Sequence, residues 1–206
     1  MSHRVLRLAE IEPFTTRHGF DVRLVRRTLG ITAFGINAYE AHQAGGRVIE
    51  EHDELGSGAG RHEELYVVLS GHARFTVDGT DVDAPAGTLV FVPDPASRRG
   101  AIAVAPGTAV LVVGGRAGEP YRTPAYDGWL AAQQRADAGD HAAAIAILEV
   151  ELACDPENAT TFYNLACFEA LAGRPGPARA HLARALEIAP AMADHAGQDP
   201  DLESLR

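Results

Sequence analysis

Between Gly58 and Gly87 the chain reads GAGRHEELYVVLSGHARFTVDGTDVDAPAG, and this stretch limits the fold more than any other. Glu64 to Leu69 is a short run rich in β-branched and aromatic residues, halted by Ser70-Gly71. His72 to Val77 alternates in polarity, and Asp78-Gly79 then supplies a turn suited to a tight hairpin. A further strand, Thr88 to Val92, follows Pro85-Ala86-Gly87 and stops at Pro93. Short strands punctuated in this way predict an antiparallel barrel or sandwich.

The spacing resembles that of the cupin family, whose jelly-roll barrel carries two motifs. The first ends in Glu, six residues and Gly, matched here by Glu64 and Gly71. The second opens with Gly, five residues and Pro-x-Gly, matched by Gly79, Pro85 and Gly87. The likeness covers roughly the first half of the chain. It implies a fold and no particular reaction, since cupins include dioxygenases, isomerases, decarboxylases, storage proteins and small-molecule sensors. In the family, two His before the Glu and a third in the second motif join the Glu around a divalent metal. Gly58 and Gly60 stand at the first two of those positions and Arg98, five residues beyond Pro93, at the third. A transition-metal site needs about three or four protein ligands, so Glu64 alone does not make one.

Strand alternation places Tyr66 and Val68 on the same face as Glu64, with Leu65, Val67 and Leu69 opposite. A lone inward carboxylate must be paired or protonated. The expectation is an Arg98 guanidinium forked onto Glu64 in place of a metal, the plain alternative being Arg98 and Arg99 on a wet loop. A displaced metal site is the competing reading, with His52, His62 and Glu64 as donors and His72 and His42 as outlying candidates. Against it, nine His are scattered without tight ligand spacing and read as ordinary rim residues. The run Gly56 to Gly60 lacks the Lys-Ser/Thr of a phosphate loop and reads as a flexible rim connection. The expected ligand pocket therefore comprises Glu64, Tyr66, Arg98, His52 and His62.

A chain of 206 residues, 46% hydrophobic and 22% charged, can build a real core. Its formal net charge of −10 disfavours nucleic acid and anionic membrane as partners. Charged residues interrupt the N-terminal segment, so no secretory signal is expected, and no stretch suits a membrane helix. Two Cys, Cys154 and Cys167, suggest reduced thiols, a cytoplasmic home and small buried roles in helices. Arg17, Arg23, Arg26 and Arg27 form a basic cluster, read as a solvated face. Other strands are expected over 31–41, 47–53, 101–104 and 109–113, with Glu50, Glu51, Asp53 and Glu54 as a local acidic patch.

Composition changes after Gly115. The reading is a β domain over 1–117, a linker over 118–127 and a helical domain over 128–206. Gly139, Ala144, Leu148, Leu152 and Pro156 recur 34 residues later as Gly173, Ala178, Leu182, Leu186 and Pro190. That period resembles the tetratricopeptide repeat, a helix–turn–helix unit. The first copy is worn, with Gly128 where a large residue belongs and Glu151 where a small one does. Two repeats leave outer faces to cover. The expected covers are the barrel near Trp129, a capping turn from Asp199 to Leu205, or a partner protein or second copy.

Two functions remain open. One is a non-enzymatic module with a metal-free barrel, binding or sensing a small molecule and contacting protein through its repeats. The other is a metal-dependent enzyme, an oxygenase or isomerase, built on His52, His62 and Glu64 with a divalent transition metal. The resemblance also implies a homodimer paired through sheet edges.

Overall fold

The computed structural model describes residues 4–56 and 58–206. Ser57 of the glycine-rich run and the first three residues of the N-terminal segment lie outside the described residues. The chain divides into two compact units, Met1–Arg122 and Thr123–Arg206.

The first unit contains β1 (Phe14–Thr15), β2 (Asp21–Arg23), α1 (Val25–Leu29), β3 (Gly35–Ala41) and β4 (Arg47–His52). There follow β5 (Glu63–Ser70), β6 (His72–Val77), β7 (Thr80–Pro85), β8 (Leu89–Val92), β9 (Arg99–Ala103) and β10 (Thr108–Gly115). Pairing is nested: β6 with β7, β5 with β8, β4 with β9 and β3 with β10, all antiparallel. Successive nested pairs lie in alternate sheets. One sheet has the order β1-β2-β3-β10-β5-β8 and the other β4-β9-β6-β7. A long hairpin rolled over itself in this way is a jelly roll. It is an open two-sheet sandwich rather than the closed barrel expected, because no ladder joins the two sheets among the described residues.

Local chemistry explains the turns. Asp78 and Gly79 both adopt positive φ, 48° and 78°, as a two-residue hairpin turn requires, and Val77 faces Thr80 across it. Gly71 is left-handed (φ 70°) where β5 hands over to β6 in the other sheet, and the Thr108 backbone leaves no room there for a Cβ. The inner faces bury Val48, Tyr66, Val68, Ala73, Phe75, Val92, Ala101 and Val110. Tyr66 and Phe75 meet edge to face across this core, 5.3 Å between centroids. The N-terminal basic cluster is not a solvated face throughout. Arg26 is buried, and Arg23 donates to the Ile11 carbonyl and pairs with Glu40 at 3.3 Å.

The second unit holds α2 (Ala125–Asp137), α3 (His141–Cys154), α4 (Ala159–Leu171), α5 (Pro175–Ile188) and the short α6 (Ala193–Ala196). Helix α2 starts inside the stretch read as a linker, with Pro124 as its extended N-terminal flank. Asp140 and Asn158 cap α3 and α4, each side chain accepting from the backbone N–H three residues on at 3.0 Å. Helix α4 begins and ends 34 residues after α2, and α5 begins and ends 34 after α3. Ala144 and Ala178 are both fully buried at equivalent positions. The two departures in the first copy meet: a Cβ on Gly128 would lie 2.8 Å from the Glu151 side chain. A 3₁₀ turn over Pro200–Leu205 places Leu202 in the core of α4 and α5. Cys167 is buried, but Cys154 is exposed, against expectation; both are free thiols.

Because Ala144 and Ala178 leave no space around them, Ala144→Leu and Ala178→Leu should each cost about 1–3 kcal/mol, read from urea unfolding midpoints. Unchanged midpoints would contradict the close helix approach.

Candidate functional site

Alternation along β5 turns Glu64, Tyr66 and Val68 inward, as their parity predicts. Arg99, the first residue of β9, is 0% exposed and reaches from the four-stranded sheet to this row on the six-stranded sheet. Its Nε donates to Glu64 Oε2 at 3.1 Å and to Tyr66 Oη at 3.3 Å. Its Nη1 donates to the carbonyls of Ser97 (2.6 Å) and Pro95 (3.3 Å). Nη2 lies 3.0 Å from Glu64 Oε2 as an ion-pair contact but completes no hydrogen bond. The Tyr66 hydroxyl also donates to Glu64 Oε2, at 2.5 Å. One carboxylate oxygen thus gathers a phenol and a guanidinium.

Three further groups stand around that pair. His52, the last residue of β4, places Nε2 3.6 Å from Glu64 and 3.8 Å from Glu54. Its Nδ1 sits 2.7 Å from the Glu50 carbonyl, which can only accept, so Nδ1 carries a proton. Glu54 Oε2 accepts from the backbone N–H of Gly60 (2.8 Å) and His62 (3.3 Å). The buried His62 ring rests against Tyr121 with its Nδ1 3.9 Å from Glu54. It fills the volume Gly60 leaves empty, since a Cβ at position 60 would come within 2.2 Å of that ring.

The structure gathers His52, His62, Glu64 and Tyr66 and removes Arg98. That side chain is 59% exposed and pairs with Glu51 at 2.9 Å. The guanidinium on Glu64 belongs to its neighbour Arg99, because Arg99 is the position in step with the inward Ala101 and Ala103. Carrying their parity two residues back would have found it. Glu54 was legible only as part of an acidic patch. His72 and His42 lie elsewhere, paired with Asp83 (2.6 Å) and Asp21 (3.0 Å).

No protein-family model matches the sequence, and no curated protein does. Solved structures do. The chain is similar to a predicted oxalate decarboxylase from Thermotoga maritima, at 20% identity over 54% of this chain and 97% of that one, TM-score 0.44. It is similar to KdgF from Halomonas sp., at 15% identity over 59% and 96%, TM-score 0.46. An RmlC-like cupin from Shewanella frigidimarina gives 19% identity over 57% and 95%, TM-score 0.44. The jelly roll itself is established by the strand pairing of this chain. No described helix is long and apolar enough to cross a membrane.

The cluster perturbs its own titration. Burial would push Glu64 up, but the His52 imidazole 3.6 Å away, the hydrogen bond from Tyr66 and the charge of Arg99 outweigh it, and its pKa falls below the ordinary carboxylate value. Burial, then the Glu64 charge, drives the Tyr66 phenol well up. Burial would lower His52, yet Glu64 and the Glu50 carbonyl together raise it. Burial lowers His62, and Glu54 and Glu64 only partly offset this. In the helical unit, burial and then Asp199 raise the Cys167 thiol, the direction that disfavours a thiolate.

A divalent ion of the kind the cupin resemblance implies would find His52, Glu54 and Glu64 with donor atoms within 4.8 Å of one another. These residues do not fit it as they stand. Glu64 Oε2 is already taken by Tyr66 and Arg99, and a buried guanidinium 3.0 Å away repels a second cation.

Arg99→Ala should destabilise the fold by about 3–5 kcal/mol, because it strands a buried carboxylate. Arg98→Ala should stay within about 1 kcal/mol. Chemical denaturation compares them, and equal losses would refute this placement of the pair. By NMR, His52 should titrate above and His62 below the ordinary value near 6.5. A folded pKa raised at His52 stabilises the protein below the unfolded value, and this stabilisation fades as pH rises through the folded one. Glu64→Gln should drop the His52 midpoint, since burial remains while the carboxylate is lost; an unmoved midpoint would contradict the coupling.

Proposed function

We propose that the jelly roll is a metal-free, non-catalytic cupin domain that binds a small molecule, and that the helical unit is a short tetratricopeptide-like module for protein contact. The observation that carries this is Arg99, a wholly buried guanidinium on the one acid that the cupin motif retains. It supplies internally the positive charge that a metal would otherwise bring. A Glu64 held below the ordinary carboxylate range and a Tyr66 driven well above the phenol range are each poorly matched to proton transfer near neutral pH. His52, only half-buried, is the approachable side of the cluster, with the buried Glu54 3.8 Å behind it. They suit a small neutral ligand that presents hydrogen-bond donors.

For the helical unit, support comes from the identical 34-residue offset at both ends of both helix pairs and from the left-handed turn glycines Gly139 and Gly173. Self-association is part of the proposal. Edge strand β8 leaves Leu89 and Phe91 63% and 56% exposed beside a sheet edge that pairs with no further strand among the described residues.

A metal-dependent enzyme is the second reading, favoured by the convergence of His52, Glu54 and Glu64. Elemental analysis of the purified chain decides between them. The metal-free reading expects transition metal far below one equivalent, and no melting shift on adding zinc or manganese. A stoichiometric metal that is lost in His52→Ala would replace it with the enzyme reading.

A further inference from the structure

The outer face of the four-stranded sheet carries a groove of about 770 Å³, separate from the interior cluster. Its floor is open because Gly100 has no side chain: a Cβ there would lie 3.1 Å from Glu51 Cα, so any other residue would crowd β4 and push it back by a few tenths of an ångström. Beside this floor the register sets Arg47, Ile102 and Arg74 in one row across β4, β9 and β6. Neighbouring strands lie about 4.8 Å apart, so the two arginine backbones stand about 10 Å apart with Ile102 between them. Ile102 is 42% exposed, an apolar rest between two cations.

The charges in the groove are not equally available. Arg98 is held by Glu51, with Nε at 3.0 Å and Nη2 at 2.9 Å from the same oxygen. Asp81 accepts from the Thr76 hydroxyl at 3.1 Å and Asp78 from the Arg98 backbone N–H at 2.8 Å, bonds that fix these carboxylates without cancelling their charge. Asp83 faces Arg74 in register but is taken by His72 at 2.6 Å. Arg47 has, among the described residues, one long hydrogen bond and ion pair, to Glu50 at 3.4 Å. Among the described residues Arg74 has no hydrogen bond or ion pair. The lining balances three arginines (Arg47, Arg74 and Arg98) against Glu51, Asp78 and Asp81, but Arg47 and Arg74 are the two cations without a close ion-pair partner among the described residues.

We infer that this groove binds a small organic oxyanion, a carboxylate or phosphate ester, with its head between Arg47 and Arg74 and its apolar body along Ile102 and Gly100. A guanidinium offers planar, paired donors to such a head, which a lysine does not. A second, independent site thus lies on the opposite side of the sheet from Arg99.

Titration of the full-length chain with inorganic phosphate, phenyl phosphate and benzoate, followed by amide NMR, tests this. Shifts should gather at residues 74, 76, 100 and 102. Phenyl phosphate should bind more tightly than inorganic phosphate, because only it can cover Ile102. Preference for phenyl phosphate over benzoate, or the reverse, identifies which oxyanion the groove takes. Arg74→Ala should weaken binding about tenfold and Arg74→Lys should restore only part of it. Arg135→Ala, which removes the same charge from the helical unit, should change nothing. Arg74 is exposed and unpaired, so these variants should melt with the parent. Absence of shifts at millimolar probe, or binding that survives Arg74→Ala intact, overturns the inference. Failure of the metal-free reading would leave the groove result untouched, because no donor of the interior cluster lines it.

Discussion

The ion pair between Arg99 and Glu64 joins the two sheets of the jelly roll through the core. Arg99 belongs to β9 and Glu64 to β5, and β9 and β5 lie in opposite sheets. Buried charges are tolerated only when geometry and further hydrogen bonds compensate for their lost hydration. Here the Ser97 and Pro95 carbonyls take one end of the guanidinium and Glu64 with Tyr66 the other. The same pair fixes the chemistry nearby. His52 and Tyr66, with Arg99 behind them, keep Glu64 below the ordinary carboxylate value; Glu64 in turn raises His52 against the opposing charge of Arg99 and leaves Tyr66 as a donor. A divalent ion at that oxygen would have to expel the guanidinium first.

Much of the fold was legible because its signals are local. The Asp78-Gly79 turn, the spacing of Glu64 to Gly71 and the inward parity of β5 each depend on a few adjacent residues, and each stands in the structure as read. The site was legible only in part, because it depends on contacts between strands distant in sequence. Arg98 and Arg99 are chemically identical, and only the register of β9 decides which one enters the core. With that strand begun at Ala101, its parity did not reach the arginines. Glu54 follows β4 and shares no alternation with it, so nothing in its neighbourhood marked it as a partner of His52 and His62. Closure of a barrel was likewise out of reach, since it depends on sheet edges meeting rather than on any single segment.

The helical unit shows how a period survives substitution. Gly128 and Glu151 each depart from the repeat, yet together they keep α2 and α3 in contact, the glycine leaving the space that the longer side chain enters. Read singly they look like decay. Read as a pair they conserve volume, which close-packed interiors demand.

Gly60 and His62 make a similar exchange inside the β unit, with a different outcome. The ring of one residue occupies the room that any side chain at the other would need. An imidazole at position 60 is therefore barred while residue 62 keeps its present rotamer. The two positions are coupled: a side chain at 60 requires the His62 ring to turn out of its place against Tyr121. Neither can therefore be altered without resetting the other, which makes the pair a single packing unit spread over two positions.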